Sequence, residues 1–160
     1  MNPGRKSLLD GRNVVPLEQR EINRAVQLFI ALDEGVNARF ESDSWTRFQV
    51  AADEHTGQEY GEVVFSADLY PGQNIANPNA ILSPRAAAAH ELAHYYRWES
   101  KTELPHGELV HIDEAMTSLE AALRYAGKLS TVDVSGLISD ALERLRRFVV
   151  DIEAAKPNEK

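Results

Sequence analysis

The chain contains no cysteine. Disulfides and thiolate metal sites are therefore excluded, and any metal ion must be held by histidine, aspartate or glutamate. No apolar run approaches the roughly 20 residues of a membrane-spanning helix. Met1 to Val15 carries charges but lacks the apolar stretch of a secretory signal, so a cytoplasmic location is expected. Basic residues are in the minority, with 17 Lys and Arg against 25 Asp and Glu and a net charge of −8. No nucleic-acid partner is expected, because such binding depends on neutralising phosphates with Lys and Arg. The one tight basic cluster, Arg144, Arg146 and Arg147, reads as a solvated helix face.

What is present is ordinary for a globular protein: 43% apolar and 26% charged residues in a chain of 160. That length supports one hydrophobic core. Residues 1–15 read as an N-terminal tail, 16–155 as a single domain and 156–160 as a C-terminal tail. Ile22, Ala25, Val26, Phe29 and Leu32 recur at helical spacing within Leu17 to Asp33. Alternation over Trp45 to Val50 and over Tyr60 to Ala67, with Asp53 to Gln58 as a turn, predicts an antiparallel hairpin. Ala80 to Leu82 reads as a short additional strand. Ser83-Pro84 is a helix start, and that helix is expected to run to about Trp98. Two more helices follow, from about Leu109 to Ala126 and Val132 to Ala154. On the last, Val134, Ile138, Ala141, Leu145, Phe148, Val149 and Ile152 share a face, read as core packing. The expected fold is α+β: a mostly helical domain with a small, largely antiparallel sheet.

His90-Glu91-Leu92-Ala93-His94 is an H-E-x-x-H sequence inside one of these helices. Residues four apart on a helix are neighbours, about 6 Å apart, so both imidazoles can reach one ion. Glu91 lies about 100° around the helix, where its carboxylate can serve as general base toward a metal-bound water. The bland alternative is an alanine-rich surface helix with two exposed histidines.

A catalytic zinc usually has three protein ligands and an open position. Downstream, His111, Asp113, Glu114 and Glu120 are candidates. On a helical wheel Asp113, Thr117, Glu120, Arg124 and Lys128 form one arc, read as the solvent face. Glu114 and Ser118 lie on the opposite side with Ala121, Ala122 and Tyr125. A carboxylate on a buried face is costly unless paired or metal-bound. Glu114 is therefore the expected third ligand, with a salt bridge to Arg97 as its structural alternative and His111 as its rival.

Glu114 follows His94 by twenty residues, and with Ile112-Asp113-Glu114-Ala115-Met116-Thr117-Ser118 this resembles the active-site helices of thermolysin-like glutamate zincins. The resemblance implies a minimal zincin-like metallopeptidase with Zn2+ on His90, His94 and Glu114, and Glu91 as base. The chain departs from that family at Ser118, where the family has an aspartate that orients a ligating histidine. Residues 80–94 and the Glu114-Ala115 helix are also similar in layout to the ImmA/IrrE metallopeptidases. The two likenesses cover about residues 80–126. The expected activity is zinc-dependent hydrolysis of peptide bonds, with a peptide or protein as substrate. The alternative is a zinc-binding regulatory or interaction module without turnover. His111, His106, Tyr95 and Tyr96 are candidates for an oxyanion donor, with His111 foremost. His55 reads as an exposed turn residue, and Tyr95, Tyr96 and Trp98 as packing. Asn79 to Leu82 is the expected edge for strand addition of a substrate. The oligomeric state is open.

Overall fold

The helix that opens the fold, α1 (Gln19–Leu32), buries Ala25, Phe29 and Leu32 on its apolar stripe. Its first turn is tied by the Glu18 amide, which donates to Glu21 Oε2 at 2.8 Å. Three strands follow, β1 (Ala38–Phe40), β2 (Arg47–Ala52) and β3 (Glu59–Phe65). A single 3₁₀ turn, Ala67–Leu69, leads toward α2 (Pro84–Glu99), α3 (Val110–Arg124) and α4 (Thr131–Ala155). The computed structural model describes residues 11–157. The expected α+β class holds, and the helices dominate.

The hairpin forms as its alternation predicts, with Arg47 opposite Val64 and Ala52 opposite Glu59. Its turn is set by Asp53, whose Oδ1 accepts from the amides of His55 and Thr56, and by Gly57 at φ +68°. That left-handed φ is readily adopted by glycine. β1 was not anticipated. It pairs in parallel with β3 over three residues, giving the order β1-β3-β2 and leaving β2 at an edge. β3 is thus central, and its Val63, Val64 and Phe65 are fully buried.

α2 is the hub and packs against α1, the sheet, α3 and α4. Ser83 caps it by accepting from the Ala86 amide, with Pro84 in the first turn. Ala86, Ala88, Ala89 and Ala93 are fully buried. Small side chains let neighbouring elements approach this helix closely on several sides. Phe29 and Phe65 stack beneath it at 5.4 Å.

Three expectations change. Residues 79–81 form a turn, not a strand. Arg12 explains why: its Nη1 donates to the carbonyls of both Asn79 and Leu82 at 2.8 Å, taking up acceptors a sheet would need. Arg12 itself belongs to the segment read as a tail, yet it is buried. There the chain passes Gly72 so closely that a Cβ at Gly72 would lie 1.4 Å from the Gly11 carbonyl oxygen. Residues 1–10 and 158–160 of the two expected tails lie outside the described residues. Finally, α4 buries Leu137, Asp140, Ala141 and Arg144, while Ile138, Leu145, Val149 and Ile152 are exposed. Its core face is rotated from the one the apolar pattern suggests. Among the described residues no helix is long and apolar enough to cross a membrane.

Candidate metal centre

His90 and His94 stand one turn apart on α2, their rings edge to face at 4.8 Å between centroids. α3 runs alongside and turns Glu114 toward both. Glu114 Oε2 is 3.0 Å from His90 Nε2, and Oε1 is 3.4 Å from His94 Nε2. One donor atom from each of the three residues falls within 4.8 Å of the others. Two imidazole nitrogens and a carboxylate oxygen form a donor set suited to zinc, with a fourth position left for a ligand.

The hydrogen bonds behind the His90 ring bear on which of its nitrogens faces the centre. Ser118 Oγ donates to Asp140 Oδ2 at 2.6 Å. With its only proton committed there, Ser118 can only accept at its 2.8 Å contact with His90 Nδ1. His90 therefore carries its proton on Nδ1 and directs the Nε2 lone pair at Glu114. Two acceptor atoms 3.0 Å apart repel unless a cation lies between them. A proton or a metal ion meets that need. Ser118, where the resembled family has aspartate, passes on the influence of a carboxylate one residue further back, that of Asp140.

The same geometry shifts the titration of the pair. Burial disfavours a charged His94, but Glu114 outweighs it and pushes the imidazole up to about 9. Burial also opposes charge on Glu114, yet His94, His90 and Arg144 hold it well below the usual carboxylate range. An imidazolium–carboxylate pair forms where a metal would otherwise balance the charge.

Glu91 lies beside the two histidines along a cleft of ≈ 650 Å³. Its Oε2 accepts from the Phe48 amide at 2.9 Å, which fixes the carboxylate against edge strand β2. The Phe48 ring lies nearly parallel to His94, 13° apart. Residues 47–50 of β2 form one wall, and residues 103–107 ahead of α3 contribute to the rim.

Several expected residues fall elsewhere. His111 is not among the residues lining the cleft; its Nε2 faces Asp151 Oδ2 at 3.3 Å, so the structure does not bring it to the three-residue centre. The Tyr96 hydroxyl donates to Asp33 at 2.6 Å. Tyr95 and Trp98 pack with Phe48 and face a separate hollow. His106 does line the cleft, and His55 is exposed in the hairpin turn. Asn79 lines the cleft, but its segment is a turn and offers no strand edge; the edge strand that lines the cleft is β2.

Two residues from the expected solvent arc of α3 are inside. Thr117 is 0% exposed and accepts from Arg97 Nη1 at 2.7 Å, and Asp113 Oδ1 pairs with the same nitrogen at 2.7 Å. The arc meets a buried cation on α2 instead of water. Arg97 is thus committed to Asp113, and the arginine that approaches Glu114, beside its two histidines, is Arg144, at 3.4 Å. Arg144 is only 5% exposed and not solvated, whereas the side chain of Arg146 is 65% exposed. Asp140 was missed, and Arg144 was expected on a solvated helix face. Their signal was faint: two charges four residues apart, sharing a face with Leu137 and Ala141. No protein-family model, curated protein or solved structure matches the chain.

Proposed function

We propose that this chain hydrolyses peptide bonds with zinc held by His90, His94 and Glu114. The observation that carries this reading is the convergence of His90 Nε2, His94 Nε2 and the Glu114 carboxylate, with His90 backed by Ser118 and Asp140 and with the Glu91 carboxylate, held by the Phe48 amide, on the same cleft. A zinc ion on these donors supplies Lewis acidity that polarises a carbonyl and makes water a stronger acid.

Glu91 supplies the base. Its Oε2 is occupied by the Phe48 amide, which leaves Oε1 to take a proton from the attacking water. The same oxygen then returns that proton to the leaving amine, so the carboxylate ends as it began. Phe48 turns its amide away from β3 and toward Glu91. Val50, two residues on, turns its own backbone groups the same way, because strand direction alternates. An extended peptide can therefore add to the outer edge of β2, its carbonyls passing Glu91.

The test combines a zinc assay with hydrolysis of a mixed fluorogenic peptide pool. Glu91→Gln is expected to keep its zinc and lose about 10²- to 10⁴-fold in kcat. Wild-type protein that holds zinc stoichiometrically yet cleaves nothing, with Glu91→Gln indistinguishable from it, would make this a zinc-binding module instead.

A further inference from the structure

Arg144 is the one cation from α4 that reaches the cleft, and its hydrogen bonding is incomplete. Nε donates to Asp140 Oδ2 at 2.8 Å. Nη1 is buried and makes no hydrogen bond; it lies 3.4 Å from Glu114 Oε2 without the alignment for one. A buried donor without an acceptor is costly, about 1–3 kcal/mol. Neutralising Asp140 and Glu114 would not require leaving it so. The side chain lines the cleft together with Glu91, His90 and His94, and it feels the charges of Asp140, Glu114 and Glu91. It therefore shares the cleft with both Glu114 and Glu91.

We propose that Arg144 receives the anionic oxygen in this cleft, donating from Nη1 to the substrate carbonyl oxygen as that oxygen gains charge. The assignment rests on the hydrolase reading above. Stabilisation of this kind works best when the donor is fixed before the reaction and sheltered from water. Asp140 provides that fixing. Its Oδ2 holds Arg144 Nε and, through Ser118, His90, so the donor and the metal-facing ring share one anchor. The guanidinium keeps its charge throughout the working pH range. Of the other donors considered, Tyr96 is committed to Asp33 and His111 to Asp151. His106 sits on a loop at the rim.

The same chemistry would also suit the free C-terminal carboxylate of a peptide, and the experiment separates the two. Arg144→Lys keeps a charge opposite Asp140 but loses the planar fork; Arg144→Gln removes the charge. For each variant one measures zinc affinity by chelator competition, the melting temperature, binding of inorganic phosphate to the zinc-loaded protein by calorimetry, and kcat and KM on peptides with free and amidated C-termini. We expect zinc and fold to persist in Arg144→Lys, phosphate binding to weaken about tenfold or more, and kcat to fall about 100-fold on both kinds of peptide with KM held. A rise in KM confined to free C-termini would overturn the assignment to the reacting oxygen. So would phosphate binding and kcat per zinc-loaded molecule that stay at wild-type values, which would leave Arg144 a structural counter-charge. If the wild type proves inactive, the hydrolase reading falls by itself and the phosphate measurement alone decides Arg144.

Discussion

The helix pair α2–α3 and the C-terminal helix α4 contribute to one centre in different ways. α2 and α3 present the atoms that touch an ion: two ring nitrogens and a carboxylate. α4 presents none of these. It brings Asp140 and Arg144, which decide where a proton sits on His90 and what charge faces Glu114. The first group follows from spacing along a single helix and the packing of its neighbour. The second exists only once α4 has docked. The donor atoms are therefore a local property, while their tautomer and electrostatics depend on tertiary structure.

That contrast can be broken most forcefully at Asp140. Asp140→Ala leaves Arg144 buried without its closest counter-charge, and a loss of about 3–5 kcal/mol is expected in denaturant unfolding of the metal-free protein. Unchanged stability would mean that α4 only covers the site. Ser118→Ala is milder on the fold but removes the acceptor for His90 Nδ1. Zinc affinity is expected to fall about 10- to 100-fold by chelator competition, and no change would disconnect α4 from the rings.

A pH series then sharpens the comparison on the ligand side. His94 is raised to about 9, so without metal its pairing with Glu114 stabilises fully below the ordinary histidine pKa of 6.5 and fades as pH climbs through 9. Glu114 is lowered, so its share is complete above 4.5 and fades only at more acidic pH. The metal-free protein should melt highest between pH 4.5 and 6.5. Zinc must displace the His94 proton and any proton held between His90 Nε2 and Glu114, so calorimetry at pH 7.5 in buffers of different ionisation enthalpy should show at least about one proton released per ion. No release would place zinc elsewhere. The smallest effect is expected at Arg146, the exposed neighbour on the same helix, whose pairing is with Glu143. Arg146→Gln should leave both the melting temperature and the zinc affinity at wild-type values. A large effect there would show that the helix contributes through its overall charge and not through Arg144.

Much of this was legible in the chain, for identifiable reasons. The H-E-x-x-H spacing, the Ser83-Pro84 start and the Asp53–Gly57 turn are short-range signals, and each forms where expected. The argument that singled out Glu114 was only half sound: it does face inward, but so do Asp113 and Thr117, from the arc assigned to water. A wheel cannot show that a neighbouring helix carries a buried arginine. On α4 the wheel was right for Ala141 and Val134 and misled for most of the rest. Ile138, Leu145, Val149 and Ile152 make a stronger apolar pattern than Leu137, Asp140, Ala141 and Arg144, yet the latter set is buried. Polar residues that satisfy one another inside are hard to distinguish from solvated ones in one dimension. β1 escaped for a related reason, since a three-residue parallel strand has little alternation to detect.

Arg12 carries one more consequence. Its guanidinium gathers the carbonyls of Asp68, Leu69, Asn79 and Leu82, and Asp68, Asn79 and Leu82 line the same cleft as Glu91 and the histidines. A single side chain near the start of the chain thus acts as a keystone for loops otherwise joined by few backbone bonds. Proteolytic trimming as far as Asn13 would remove it and let that part of the cleft sag, even though no atom of the three metal-facing residues had been touched.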